Sequence, residues 1–172
     1  MEKVFKILAV FILLILVIVY SVQVREKRFR AFSFSRRINL SPMGKPEQSL
    51  TIDMIVPEEG GLQAFDREEN LSFYAGDPDF SLMVADTSTG QILVTVPLEE
   101  PIDLLLYDPF SRLIFCSNAE GMLSIIKQNG RQTYKVVQRM SIPRDSNGLA
   151  LDPHTGKLYI YGDGAIYVYT NV

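Results

Sequence analysis

Three stretches of this 172-residue chain repeat one another: GLQAFDREENLSFYAG from Gly61, PIDLLLYDPFSRLIFCS from Pro101 and NGLALDPHTGKLYIYG from Asn147. Asp66, Asp108 and Asp152 hold the same place in each, 42 and 44 residues apart. A short apolar run precedes each Asp, a polar turn follows, and an apolar strand resumes at Leu71, Leu113 and Leu158. Upstream stand matching strand ends, Ile55-Val56-Pro57, Thr95-Val96-Pro97 and Ser141-Ile142-Pro143. Proline is tolerated at a strand's last position because the ladder loses a donor only at its end. Two more strands fit between these landmarks, so the first unit reads as residues 61–65, 71–75, 81–86 and 92–96. Thr87-Ser88-Thr89-Gly90 and Gln128-Asn129-Gly130 put a glycine where a hairpin turn needs positive φ. Four strands repeating every 40–45 residues or so mark a β-propeller blade, whereas a β-sandwich has no such fixed period. The expected fold is all-β, a partial propeller of about three four-stranded blades over residues 48–172, preceded by an N-terminal transmembrane helix.

That helix is expected within residues 1–24, where Ile7 to Tyr20 is unbroken apolar sequence and only Ser21 and Gln23 interrupt its extension to Val24. With Lys6 snorkelling, the run approaches the ~20 residues needed to cross a bilayer core. No polar face exists at helical period, which argues against a buried core helix. A cleaved signal peptide is the rival reading, since Glu2-Lys3-Val4-Phe5-Lys6 is a basic start and Val19-Tyr20-Ser21 resembles a cleavage site. Residues 25–47 read as a juxtamembrane linker in which Phe29, Phe32 and Phe34 alternate with Arg, a pattern suited to lipid headgroups.

Charge divides along the same boundary. Residues 1–37 carry eight Lys/Arg against two Glu, and residues 38–172 carry nine against eighteen Asp/Glu. An acidic folded part argues against a phosphate-binding face and hence against nucleic acid as its partner. A single cysteine, Cys116, forbids an intramolecular disulfide, and a single histidine, His154, forbids a two-histidine acid/base pair or a His-rich metal site. No nucleophile–base pair stands out, so no catalytic residue is assigned. Cys116 reads as a small buried hydrophobe and His154 as a turn residue.

LMVADTSTGQILVTVPL followed by PIDLLLYDPFSRLIFCSNAEGMLSII resembles the YVTN-type, YncE-like β-propeller repeat family. The resemblance covers roughly residues 48–172 and speaks to fold more than to function. It implies that the folded part lies outside the cytoplasm, although Arg25, Lys27, Arg28, Arg30, Arg36 and Arg37 just beyond the apolar run argue for the inside. Ser146-Asn147-Gly148-Leu149-Ala150-Leu151-Asp152-Pro153 is similar to a stretch of the six-bladed gluconolactonase-like propellers. That likeness implies Asn147 as a ligand of a divalent cation such as Ca²⁺, and a metal-dependent lactonase-like hydrolase as the alternative function.

Three blades are too few to close a ring. Residues 50–56 read as a lone outer strand and residues 165–169 as a last strand with a free edge. Two copies exchanging outer strands would form a six-bladed homodimer, with a truncated propeller fragment or half of a hetero-oligomer as the rivals. Strand polarity gathers one set of loops on a single face, among them Glu58, Glu59, Glu99, Glu100, Asp103 and Asp145. These are the candidate ligand-facing residues, suited to a cationic ligand, a basic protein surface or Ca²⁺. The expected function is therefore a membrane-anchored binding or scaffold module.

Overall fold

The computed structural model describes residues 32–39, 62–76 and 80–171. The apolar segment 1–24, residues 25–31 and 40–47 of the expected linker, the expected strand 50–56, Glu58 and Glu59 lie outside the described residues. The described chain is all strand and turn. Sheet I is β2 (Gln63–Asp66), β3 (Leu71–Gly76), β4 (Ser81–Asp86) and β5 (Ile92–Pro97) in sequence order. Sheet II is β6 (Leu104–Asp108), β7 (Leu113–Ser117), β8 (Met122–Gly130) and β9 (Thr133–Ser141), again in order. Sheet III is β10 (Gly148–Asp152), β11 (Lys157–Gly162), β12 (Ala165–Asn171) and then β1 (Phe32–Asn39). Every neighbouring pair is antiparallel.

One turn recurs four times and explains the repeated aspartates. Asp66, Asp86, Asp108 and Asp152 each accept hydrogen bonds from the backbone N–H groups two and three residues on, at 2.8–3.2 Å. The residue four places on is left-handed each time: Asn70 at φ 53°, Gly90 at 71°, Arg112 at 53° and Gly156 at 66°. A short carboxylate satisfies the turn's free donors, and the left-handed residue redirects the chain into the next strand. In sheets I, II and III the Asp pairs with Leu71, Leu113 and Lys157 respectively. The third repeat therefore resumes at Lys157, one residue before the expected Leu158. The β8–β9 hairpin also differs from expectation. It turns at Arg131–Gln132, and Gly130 ends β8 paired with Thr133.

Packing is layered. β2 lies beside β6, and β6 beside β10, so the first strands of the three sheets adjoin. One face of sheet I, with Leu71, Phe73, Leu82 and Val84 all 0 % exposed, forms a single core with Leu105, Ile114, Cys116 and Ile126 of sheet II. The opposite face of sheet II is equally buried, through Leu106, Phe115, Leu123 and Ile125. Leu149, Leu151, Leu158 and Ile160 of sheet III are buried on the side that meets it. The front of sheet I thus receives the back of sheet II, and the front of sheet II the back of sheet III.

β1 corrects the expected linker. Phe32–Asn39 is a strand that pairs with β12 of the same chain from Phe32↔Asn171 to Asn39↔Ala165. The Phe-Ser-Phe-Ser alternation of residues 32–35 has a strand's two-residue period as well as an interfacial look. An edge with unpaired donors and acceptors takes up a partner strand, and one from the same chain does so without the entropy loss of association. The edge of β12 is therefore not left open for a second copy's outer strand.

Candidate functional site

The links β5→β6 (residues 98–103), β7→β8 (118–121) and β9→β10 (142–147) meet at one end of the β-unit. Hydrogen bonds tie them together. The Ala119 N–H donates to Asp103 Oδ2 at 2.6 Å, Asp145 N–H to the Ala119 carbonyl at 2.7 Å, and Ile142 N–H to the Gly121 carbonyl at 2.8 Å. Buried Asn118 joins the set by accepting from Met122 N–H at 2.9 Å and donating to the Pro101 carbonyl at 3.5 Å. Gly121 has φ 99°, and a Cβ there would come within 2.8 Å of the Ile142 carbonyl oxygen. The close approach of two links fixes that position as glycine.

This end carries the sequence's candidates, each in a distinct setting. Glu99 is exposed and ion-paired with Arg139 at 2.8 Å. Glu100 is half-buried beside a shallow recess lined by Leu98, Pro101, Cys116, Asn118, Met122 and Ser124, with room for about one water molecule. Asp103 is exposed, yet one of its carboxylate oxygens holds the Ala119 turn. Asp145 is exposed and left-handed at φ 55°. Asn147 is exposed, and its N–H donates to the Tyr161 carbonyl at 3.0 Å. Among the described residues no three His, Cys, Asp or Glu side chains converge on a metal-sized site. With Glu120 and Asp163, this end holds six acids against Arg139 and Arg144 among the described residues. Arg139 escaped the sequence reading because it lies within β9 and reaches the links only through its side chain.

The Asp-turn end is built differently. Tyr107 Oη lies 3.0 Å from Asp66 Oδ2 and 2.7 Å from Gln128 Oε1, and Gln128 Nε2 donates to Asp66 Oδ2 at 3.2 Å. All three side chains are buried, at 3 %, 5 % and 1 % exposure for Asp66, Tyr107 and Gln128. The one hydroxyl hydrogen is shared between two acceptors. Burial, then the Asp66 charge, pushes the Tyr107 phenol well above its usual range. Outside this triangle, Arg112 pairs with Glu69, and Arg131 pairs with Asp86 at 2.6 Å and also reaches the Glu69 carbonyl. Burial opposes the Arg112 charge, but the Glu69 bond and charge outweigh it and raise its pKa. In both ion pairs sheet I supplies the acid and sheet II the arginine. The sequence held a signal for the triangle: Tyr107 stands where the other repeats have Phe65 and Leu151, the one hydroxyl at that position.

Cys116 is buried and its thiol is pushed up by that burial alone, which opposes formation of a nucleophilic thiolate. His154 is exposed in the β10–β11 turn. Among the described residues no buried side-chain polar atom lacks a partner. The Asp66–Tyr107–Gln128 cluster is thus a satisfied seam between two sheets, and the acidic links are the exposed polar feature. The chain matches no protein-family model and no curated protein.

Proposed function

We propose that this chain is a membrane-anchored β-propeller binding module whose acidic end receives a cationic ligand or a basic protein surface. The propeller reading is supported by three four-stranded antiparallel meanders stacked front to back with adjoining first strands. The observation that carries the ligand reading is the acidic end itself, where the hydrogen-bonded links hold five acids against one arginine among the described residues. Chain direction adds to it. β1 begins at Phe32 opposite Asn171, at the Asp-turn end, so the chain coming from the apolar segment enters away from the acidic links. In this reading the partner is met outside the cytoplasm.

The test is binding of an oligolysine peptide to the full chain in detergent, at low and high salt. Glu99→Gln should weaken binding several-fold at low salt and more than Glu100→Gln does, because it removes one charge and also releases Arg139. The difference should shrink as salt screens exposed charges. Affinity unchanged in both variants at low salt would remove the acidic end from the reading.

A further inference from the structure

Among the described residues each interface between sheets joins a front to a back, and one front and one back are left without a described sheet on them. Equivalent positions follow from the Asp registers. Phe73 on the front of sheet I stacks on Tyr107 on the back of sheet II, ring centroids 4.9 Å apart. The matching front position in sheet III is Tyr159, and the matching back position in sheet I is Phe65. Both are aromatic and both are half-buried. Val136 of sheet II packs against the core, whereas Ile92, its counterpart on the back of sheet I, is 48 % exposed. Tyr161 on the front of sheet III is 40 % exposed. The open part of that front lies over β10 and β11, since Val168 beyond them is buried.

The contact between sheets I and II also carries charge. Where sheets I and II meet, the back contributes Arg112 and Arg131 and the front contributes Glu69 and Asp86. At the same end of the free faces, the back of sheet I carries Arg67, 5.6 Å from the Phe65 ring centroid. The front of sheet III carries Asp152, whose pKa is lowered chiefly by the Thr155 hydroxyl, with Lys157 as its cross-strand partner. The aromatic residue and the apolar patch match the interface that sheets I and II already make.

We propose that the occupant is a second copy of this chain: the front of sheet III in one copy packs on the back of sheet I in the other, and reciprocally. Two such contacts around a twofold axis close a ring of six sheets, within the four to eight blades of known propellers. No strand needs to be exchanged, because β1 already completes sheet III in its own chain. The inference rests on the propeller reading but not on what the acidic end binds.

Two tagged forms of the full chain, one with Gln63→Cys and one with Tyr161→Cys, test it in mixed detergent micelles with a short bis-maleimide. Both positions are exposed, and buried Cys116 gives little background. The expected result is a covalent dimer containing both tags, at least tenfold more abundant than the dimer of either form with itself. Tyr159→Arg, added to the Tyr161→Cys form, should abolish it while circular dichroism stays unchanged. Absence of the mixed dimer, equal self-dimers, or cross-linking within one chain of the Gln63→Cys, Tyr161→Cys double variant overturns the proposal. Oligolysine binding measured on the same samples shows whether the acidic-end reading stands or falls separately.

Discussion

Tyr107, Asp66 and Gln128 lie where sheets I and II meet, and all three sides of their triangle are buried. Tyr107→Phe keeps the ring stacked on Phe73 but strips a partner from two buried acceptors. Asp66 Oδ2 keeps the bond from Gln128 Nε2, whereas Gln128 Oε1 loses its donor, and leaving such a group unsatisfied costs ~1–3 kcal/mol. Urea unfolding should show that loss, with the slope on denaturant unchanged. Gly121→Ala meets a different obstacle, since its Cβ collides with the Ile142 carbonyl in a left-handed backbone. A strained residue of this kind costs ~1–3 kcal/mol, which differential scanning calorimetry can read as a lower Tm. The turn carboxylates set the acid limit. Asp86 is depressed first by the Ser88 N–H and Asp152 first by the Thr155 hydroxyl. A depressed carboxylate adds stability above its unfolded pKa of ~3.9 and loses it as pH falls through the lower folded value. The Tm should therefore fall below about pH 4, and less steeply in Asp152→Asn.

β1 is the element on which sheet III depends most visibly, because it is the strand that covers the edge of β12. Successive N–H groups of an edge strand point alternately toward and away from the neighbour. The double change Arg37→Pro, Ile38→Pro therefore removes one ladder donor whichever way the alternation falls. Amide exchange in β12 should accelerate at least tenfold, with sheet II amides little changed. The apolar runs and Asp turns of β2 to β12 are legible in the sequence, and Ser81–Asp86 matches its expected limits to the residue. β1 was hidden because its alternating Phe and flanking Arg have the same composition as a headgroup-seeking segment. Lys157 was hidden because a polar residue begins a strand whose two counterparts begin with leucine. The network at the Asp-turn end was only half legible. The repeated Asp is plain in the sequence, but the partners Gln128 and Arg131 come from a neighbouring sheet that spacing alone does not align.

The three-sheet stack holds several groups neutral by burial: Tyr107, Tyr134 and Cys116 are all raised, with burial the first cause. An acid whose folded pKa is raised stabilises the fold fully below its unfolded pKa, and the contribution is lost as pH rises toward the folded value. With unfolded values near ~8.5 for cysteine and ~10 for tyrosine, stability should decline from about pH 9 upward. Urea midpoints at pH 7, 9 and 10.5 check it, and Cys116→Ala should delay the onset. The pairing of β1 with β12 also has a consequence in time. Sheets I and II are each made from one contiguous stretch and can form as soon as that stretch exists. Sheet III joins strands from nearly opposite ends of the described chain, a closure whose entropy must be lost before its contacts are gained. The first strand to be synthesised therefore waits for the last. Refolding should show a fast phase for sheets I and II and a slower one for sheet III, during which the bare edge of β12 is the part of the molecule most open to mispairing.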